Sequence, residues 1–80
     1  MIVEKTDLEG VLIIDPPTNF RDFRGEYIEI YNQRLYEENG IRQNFIQDDI
    51  STSKKNVLRG IHGDATTCKL VSCLYGEFYL

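Results

Sequence analysis

The chain contains a single histidine, His62, and two basic residues lie near it in the sequence, Arg59 and Lys69. A neutral imidazole is the side chain best suited to removing a proton near neutral pH. A lysine ammonium stabilises the charge that develops on a carbonyl oxygen when a neighbouring C–H is deprotonated, and a guanidinium fits a phosphate group. The three residue types therefore predict proton abstraction beside a ketone in a phosphorylated substrate.

The spacing of these residues leaves two arrangements open. In a regular strand, Arg59 and His62 face opposite sides. Both side chains line one pocket only if the ladder is interrupted between them, and Gly60 is the natural position for a bulge. In the alternative, His62 faces inward with Leu58 as an ordinary core residue while Arg59 faces solvent.

Metal and disulfide chemistry are not predicted. Zinc, iron and manganese sites usually need two or three histidines with a carboxylate, and here Asp64 is the only acid close to the one histidine. Cys68 and Cys73 lie in one extended stretch, about 16 Å apart and on opposite faces at ~3.3 Å per residue. That separation exceeds disulfide reach, so we expect two reduced thiols that act as small apolar residues.

A second basic segment runs from Phe20 to Gly25. Arg24 and Gly25 stand ahead of a predicted strand, so the guanidinium is available to an anion, and Phe20 offers an aromatic face to a nucleobase. The alternative interpretation is an ordinary polar turn. The sequence alone leaves both open.

Length and charge limit the class of protein. The chain has 80 residues and a net charge of −4, which allows one small domain and argues against a nucleic-acid binder. Its longest apolar run, Val11–Ile14, is far shorter than the roughly 20 residues of a membrane-spanning helix. The first ten residues include acids and no apolar stretch of signal-peptide length, which predicts a cytoplasmic protein without membrane partners.

Most of the residue periodicity is typical of strands. Turn signals separate six predicted strands, of which the first is stopped by Pro16-Pro17: Val11–Asp15, Gly25–Tyr31, Phe45–Gln47, Val57–Ile61, Leu70–Leu74 and Glu77–Leu80. This pattern predicts an all-β sandwich or barrel. The last strand has no turn or polar tail after it, which is expected either of a terminal strand covered by a partner chain or of a fragment of a longer protein.

One short helix is predicted from about Gln33 to Asn39. Asn32 is a suitable N-cap, and Gly40 can adopt the left-handed conformation after the last turn. Leu35 and Tyr36 would form the buried side of this helix.

Six motifs occur in an order and spacing that resemble the amino-terminal part of the dTDP-4-dehydrorhamnose 3,5-epimerase family. They are Phe20-x-Asp22-x-Arg24-Gly25, Glu29, Phe45-Ile-Gln-Asp48, Ser51-x-Ser53, Val57-Leu-Arg-Gly-Ile-His62 and Lys69-Leu-Val71. The resemblance runs from about Gly10 to Leu80. It implies that residues 1–80 are the amino-terminal part of a single cupin-type epimerase domain. The expected fold is an incomplete cupin or jelly-roll-type barrel with one short helix.

The resemblance also implies roles for individual residues. His62 resembles the general base that removes protons at C3 and C5 of a nucleotide-linked 4-keto-6-deoxy sugar, and Lys69 resembles the lysine that stabilises the enolate. The expected substrate-binding residues are Arg59, Gln47 and Asp49 beside the sugar and diphosphate, with Phe20, Arg24 and Glu29 beside the nucleotide. The resemblance implies that part of the nucleotide site comes from the second subunit of a homodimer. No metal or organic cofactor is implied.

Two departures from the family pattern leave the substrate open. Asp49 stands where members commonly have asparagine, and Gly63 replaces the usual aromatic residue after the histidine. The latter variant resembles a branch that acts on other nucleotide sugars, such as GDP-linked 4-keto-heptoses. The family's tyrosine acid and its histidine-orienting carboxylate lie beyond the matched residues. The alternatives are therefore a ketoisomerase of the same fold, or a non-catalytic remnant that binds a sugar nucleotide or pairs with another barrel.

Overall fold

A computed structural model describes residues 1–16 and 18–80. The chain divides into two compact units, Met1–Arg42 and Gln43–Leu80. The regular structure of the described residues consists of four strands in two small antiparallel sheets and one short helix. This composition agrees with the predicted all-β class.

The first sheet is a hairpin of β1 (Ile2–Lys5) and β2 (Leu12–Asp15), with Val3 opposite Ile14. The connection is held by Thr6, whose hydroxyl donates to the Val11 carbonyl at 2.9 Å. Strand β2 confirms the strand predicted at Val11–Asp15, whereas β1 was not predicted. The predicted stop at Pro16-Pro17 falls partly outside the described residues, since Pro17 is not among them.

The second sheet is a hairpin of β3 (Asn19–Asp22) and β4 (Gly25–Ile28), with Phe23 and Arg24 as the turn. Asp22 and Gly25 occupy the first and fourth turn positions, where these residue types are favoured. The Asp22 Oδ1 accepts the Arg24 amide at 2.9 Å, and Gly25 has a φ of +123°, which other residues rarely adopt. Local side-chain chemistry therefore sets the hairpin register.

Strand β4 is shorter than predicted, because it ends at Ile28 instead of Tyr31. The Glu29 amide still donates to the Thr18 carbonyl at 3.2 Å. The Ile30 carbonyl instead accepts the Tyr36 hydroxyl at 3.0 Å. The ladder therefore ends after Glu29, where the Ile30 carbonyl bonds to the Tyr36 side chain of the helical segment that follows.

Helix α1 spans Gln33–Glu38 and confirms the predicted helix and its N-cap. The Asn32 Oδ1 accepts the Leu35 amide at 3.2 Å. At the other end, Gly40 has a φ of +85°, and its amide donates to the Glu37 carbonyl at 3.0 Å. The Ile41 amide donates to the Tyr36 carbonyl at 2.8 Å, which completes a Schellman motif.

Among the described residues, the buried apolar side chains are Tyr36 and Ile41, which lie in and just after this helix with exposures of 3% and 7%. The rings of Tyr31 and Tyr36 meet edge to face at 4.9 Å between centroids, a favourable aromatic geometry. Burial, followed by the charges of Tyr31 and Glu29, raises the pKa of Tyr36. The predicted burial of Tyr36 is confirmed, while Leu35 is half-buried.

The second unit differs from the prediction, because residues 43–80 contain no strand. The strands predicted at Phe45–Gln47, Val57–Ile61, Leu70–Leu74 and Glu77–Leu80 are therefore wrong for this structure. Seven apolar side chains of this unit are each at least 86% exposed: Ile46, Ile50, Leu58, Ile61, Tyr75, Tyr79 and Leu80. Alternating apolar residues form a strand only where a second segment pairs with them, and none does so here.

Both cysteines, Cys68 and Cys73, are free thiols, as predicted. They are exposed, so neither acts as a small core residue. Within residues 1–16 and 18–80, no helix combines the length and apolar character needed to cross a bilayer.

Replacing Asn32 by alanine is expected to destabilise α1 by about 1 kcal/mol, because the Leu35 amide loses its acceptor. The measurement is amide hydrogen exchange at Leu35 and Ile41 in the 80-residue chain. Asn32→Asp keeps the acceptor and serves as the control. Unchanged exchange in Asn32→Ala would show that the cap does not stabilise the helix.

The 80-residue chain is expected to self-associate or to remain weakly folded, because so many apolar side chains of residues 43–80 are in water. Sedimentation velocity over a range of concentrations measures the association. Thermal unfolding monitored by circular dichroism measures the cooperativity. A monomer with one sharp melting transition would contradict this expectation.

Candidate functional site

The hairpin of β3 and β4 presents an aromatic pair to solvent. Phe20 and Tyr27 are directly opposite in the ladder, so their side chains share one face, and each is 68% exposed. Together with Asp22, Arg24, Gly25 and Glu26 they line a surface depression of about 420 Å³. The structure thus brings together two predicted nucleotide-binding residues, Phe20 and Arg24.

Arg24 is held at the turn by Asp22. Its Nε lies 3.1 Å from Oδ2 and 3.2 Å from Oδ1 of Asp22, and its Nη2 lies 2.6 Å from Oδ2. These hydrogen bonds lower the pKa of Asp22 and raise the pKa of Arg24. The guanidinium carbon is also 6.0 Å from the centroid of the Phe23 ring. Arg24 therefore forms an ion pair with Asp22 that involves both Nε and Nη2 of its guanidinium.

Two other features of this hairpin were not anticipated. Arg21 and Glu26, opposite each other in the ladder, form an ion pair. Glu29, the third predicted nucleotide-binding residue, is half-buried just after β4 and is not among the residues that line the depression. Phe20 and Arg24 therefore share the depression, and Glu29 lies outside its lining.

In the second unit, the predicted sugar and diphosphate residues make local contacts. The Gln47 side-chain amide donates to Asp49 Oδ2 at 2.9 Å. Arg59 donates from Nε to the Ser53 hydroxyl at 2.8 Å and from Nη2 to the Thr52 carbonyl at 3.0 Å. Arg59 is thus anchored across the turn that precedes it, and the pairing of Gln47 with Asp49 gives a partner to the acid that departs from the family pattern.

His62 and Lys69 lie on exposed backbone on either side of residues 63–68. The Arg59 guanidinium bonds to Thr52 and Ser53 rather than turning toward His62. Gly60 has a φ of +121°, a conformation that favours glycine, but no ladder runs through this segment for a bulge to interrupt. His62 and Leu58 are both exposed, so the arrangement that makes His62 a core residue is wrong for this structure, and the bulge arrangement lacks the ladder that it requires.

Asp64 organises the segment between His62 and Lys69, a feature that sequence reasoning missed. Its Oδ1 accepts the amides of Thr66 and Thr67 at 2.9 and 2.7 Å and the Thr66 hydroxyl at 3.0 Å. Its Oδ2 accepts the Thr67 hydroxyl at 2.8 Å. These bonds, the Thr67 hydroxyl foremost, lower the pKa of Asp64 from 3.8 to about 2. The available signal was the sequence Asp-x-Thr-Thr, which suits an Asx turn.

The described residues include no group of three or more histidine, cysteine, aspartate or glutamate side chains placed to hold a metal ion. The donor atoms near His62 are hydroxyls, amides and one carboxylate that is already bonded to two threonines.

Comparison with known proteins identifies the class of protein. Residues 5–80 match the family described as dTDP-4-dehydrorhamnose 3,5-epimerase. The chain belongs to this family, in agreement with the resemblance drawn from its motifs.

Individual relatives carry the same name. The Salmonella typhimurium dTDP-4-dehydrorhamnose 3,5-epimerase is 48% identical over 83 aligned positions, which cover 99% of this chain and 45% of the relative. The Escherichia coli protein is 42% identical, with 99% and 44% covered, and the Methanothermobacter thermautotrophicus protein is 39% identical, with 94% and 41% covered. The chain thus spans less than half the length of these relatives. No solved structure matches it significantly.

The Asp64 turn is expected to titrate at a pH of about 2. Because the pKa is depressed by bonds present in the ordered turn, their stabilisation is complete above 3.8 and is lost as the pH falls through about 2. The measurement is the amide chemical shifts of Thr66 and Thr67 between pH 1.5 and 6, with Asp64→Asn as the non-titrating control. A midpoint near 3.8 would contradict the turn geometry.

Proposed function

We propose that this chain carries the proton-abstracting part of a nucleotide-sugar 3,5-epimerase. The supporting observation is the family match over residues 5–80, combined with His62 and Lys69 at the positions that resemble the family's base and enolate-stabilising lysine. The proposed substrate is a nucleotide-linked 4-keto-6-deoxy sugar, in a pathway that makes deoxysugars.

In the proposed reaction, the His62 imidazole takes a proton from the sugar carbon beside the C4 ketone. The electron pair of the broken C–H bond forms the carbon–carbon double bond of an enolate, and the negative charge moves to the ketone oxygen. The Lys69 ammonium stabilises that charge, and most strongly where water is excluded. A proton delivered to the same carbon from the opposite face of the ring restores the ketone and inverts the centre.

The proposed binding roles follow the chemistry of the side chains. Phe20 with Tyr27 offers a face on which a nucleobase can stack, and Arg24 lies at the end of that face. Glu29 would accept a hydrogen bond from the nucleotide. Remote binding energy of this kind positions the sugar ring for proton transfer.

The sugar and diphosphate residues are proposed in the second unit. Arg59 keeps Nη1 for a phosphate oxygen while Nε and Nη2 are anchored. Gln47 and Asp49 already share a hydrogen bond, so they would act together, with Asp49 accepting from a sugar hydroxyl. An acid at this position favours a hydroxyl over a phosphate oxygen, because like charges repel.

The proposed architecture is a cupin-type barrel, of which residues 1–80 form the amino-terminal part of one domain. The exposed apolar side chains of residues 43–80 support this proposal, since barrel strands need an apolar face to pack inward. We further propose a homodimer that shares the nucleotide site, a reaction without a cofactor, and a cytoplasmic location.

Replacing His62 by alanine is expected to abolish hydrogen–deuterium exchange at the sugar carbon beside the ketone, with a loss of at least about 10²-fold because the base is removed. The measurement is deuterium uptake by NMR, with dTDP-4-keto-6-deoxyglucose in D₂O and a protein of family length that carries these residues. Lys54→Ala, in a solvated loop, is the matched control. Exchange retained by His62→Ala would overturn the base assignment.

The same experiment separates the alternatives. Inverted C3 and C5 centres in the product identify epimerisation, whereas a ketone moved to C3 identifies a ketoisomerase. Nucleotide-sugar binding without exchange in the unsubstituted protein would favour the non-catalytic alternative.

Lys69→Met is expected to lower the exchange rate by about 10²–10³-fold without removing binding, because only the enolate loses its partner.

A further inference from the structure

Asp22 has no assigned role in substrate binding, yet it makes more contacts with Arg24 than any other residue does. Its carboxylate accepts a hydrogen bond from the Arg24 backbone amide. It also accepts three from the Arg24 side chain, of which two run from Nε to the two oxygens and one from Nη2 to Oδ2. Forming the turn needs only the first of these. The other contacts fix the direction of the guanidinium.

The Asp22 contacts use one edge of the guanidinium. Nε donates its single hydrogen and Nη2 donates one of its two. The edge formed by Nη1 and the second hydrogen of Nη2 is left to bind another group. A planar fork of this kind matches two oxygens of a phosphate.

We propose that Asp22 is a positioning residue, which orients the free edge of Arg24 beside the Phe20–Tyr27 aromatic pair so that the hairpin binds a nucleoside diphosphate. This inference rests on the proposed function, in which Arg24 is a substrate-binding residue. The proposed effect of Asp22 on binding is exerted through Arg24.

The charges around the depression favour a nucleotide over a free anion. Arg24 is paired with Asp22, and Arg21 is paired with Glu26, so the two ion pairs leave no net positive charge at the hairpin. Long-range attraction of an anion is therefore weak, and binding must come from directed hydrogen bonds and from stacking on the two rings. A ligand with both a base and a diphosphate uses both features.

Orientation matters because the Arg24 side chain is 77% exposed. An arginine in water samples many rotamers, and a ligand that captures it must fix them. An ion pair that fixes the guanidinium beforehand reduces the conformational entropy lost on binding. For one rotamer-rich side chain, this reduction is worth about two- to tenfold in affinity.

Asp22→Asn separates this role from turn formation. Asparagine keeps the oxygen that accepts the Arg24 amide and is equally favoured at this turn position. It loses the second acceptor oxygen and the charge that hold the guanidinium. If Asp22 served the turn alone, the asparagine variant would bind a nucleotide as well as the unsubstituted chain does.

The experiment is a titration with dTDP of a protein of family length that carries these residues, followed by NMR through the Phe20 ring and the Arg24 side-chain signals. We expect Asp22→Asn to bind about two- to tenfold more weakly, with the Gly25 and Tyr27 amide shifts unchanged. Asp7→Asn, in the loop of the first hairpin, is the matched control and is expected to bind as the unsubstituted chain does. Inorganic pyrophosphate is expected to bind more weakly than dTDP.

The outcomes that overturn the proposal are distinct. Equal dTDP affinity of Asp22→Asn and the unsubstituted chain would overturn the positioning role alone, provided that Arg24→Ala lowers affinity. Equal affinity of Arg24→Ala, or no binding by the unsubstituted chain, would overturn the proposed nucleotide role of this hairpin and the positioning role together. Pyrophosphate binding as tight as dTDP would overturn the aromatic contribution.

A second measurement does not depend on any variant. In the unsubstituted chain, the Arg24 Nε–H signal is expected to exchange with water more slowly than that of Arg42, which lies outside the hairpin. Equal exchange rates for the two arginines would show that Asp22 does not hold the guanidinium in solution, and would overturn the proposal.

Discussion

A β-strand needs a second strand as its hydrogen-bond partner. In the described part of this chain, strands form only where such a partner strand is close in sequence. Both sheets are hairpins between consecutive strands, joined by a six-residue loop in the first case and by Phe23-Arg24 in the second. Closing a short loop loses little entropy, so local pairing is favoured. Residues 43–80 have strand-like apolar patterns but no local partner, and they remain without strands.

The same constraint determines which parts of the site are organised. In the first unit, one turn places Arg24 at the end of the Phe20–Tyr27 pair, and the Asp22 carboxylate fixes both the backbone and the guanidinium. In the second unit, order comes from side chains that bond to nearby backbone, as Asp64 does with Thr66 and Thr67. Such turns fix a few residues each, but they do not set the position of one segment against another.

The sequence allowed some of these features to be predicted because their causes are local. The helix was predicted from Asn32 and Gly40, whose capping roles depend only on adjacent backbone. Strand β3 was missed because Asn19–Asp22 has a single apolar residue, although aspartate and glycine at 22 and 25 were a usable hairpin signal. The strands predicted after residue 43 failed for the opposite reason, since periodicity describes the two faces of a strand and does not supply a partner.

The candidate groups of the two units therefore differ in the partners that they still need. The charged groups of the hairpin have local partners, because Arg24 pairs with Asp22 two positions away and Arg21 pairs with Glu26 five positions away. His62 is different. A general base needs a hydrogen bond that fixes its tautomer and orientation, and the Asp64 carboxylate beside it in sequence is occupied by two threonines. In the proposed reaction, the hydrogen-bond partner that orients His62 therefore comes from outside residues 63–68.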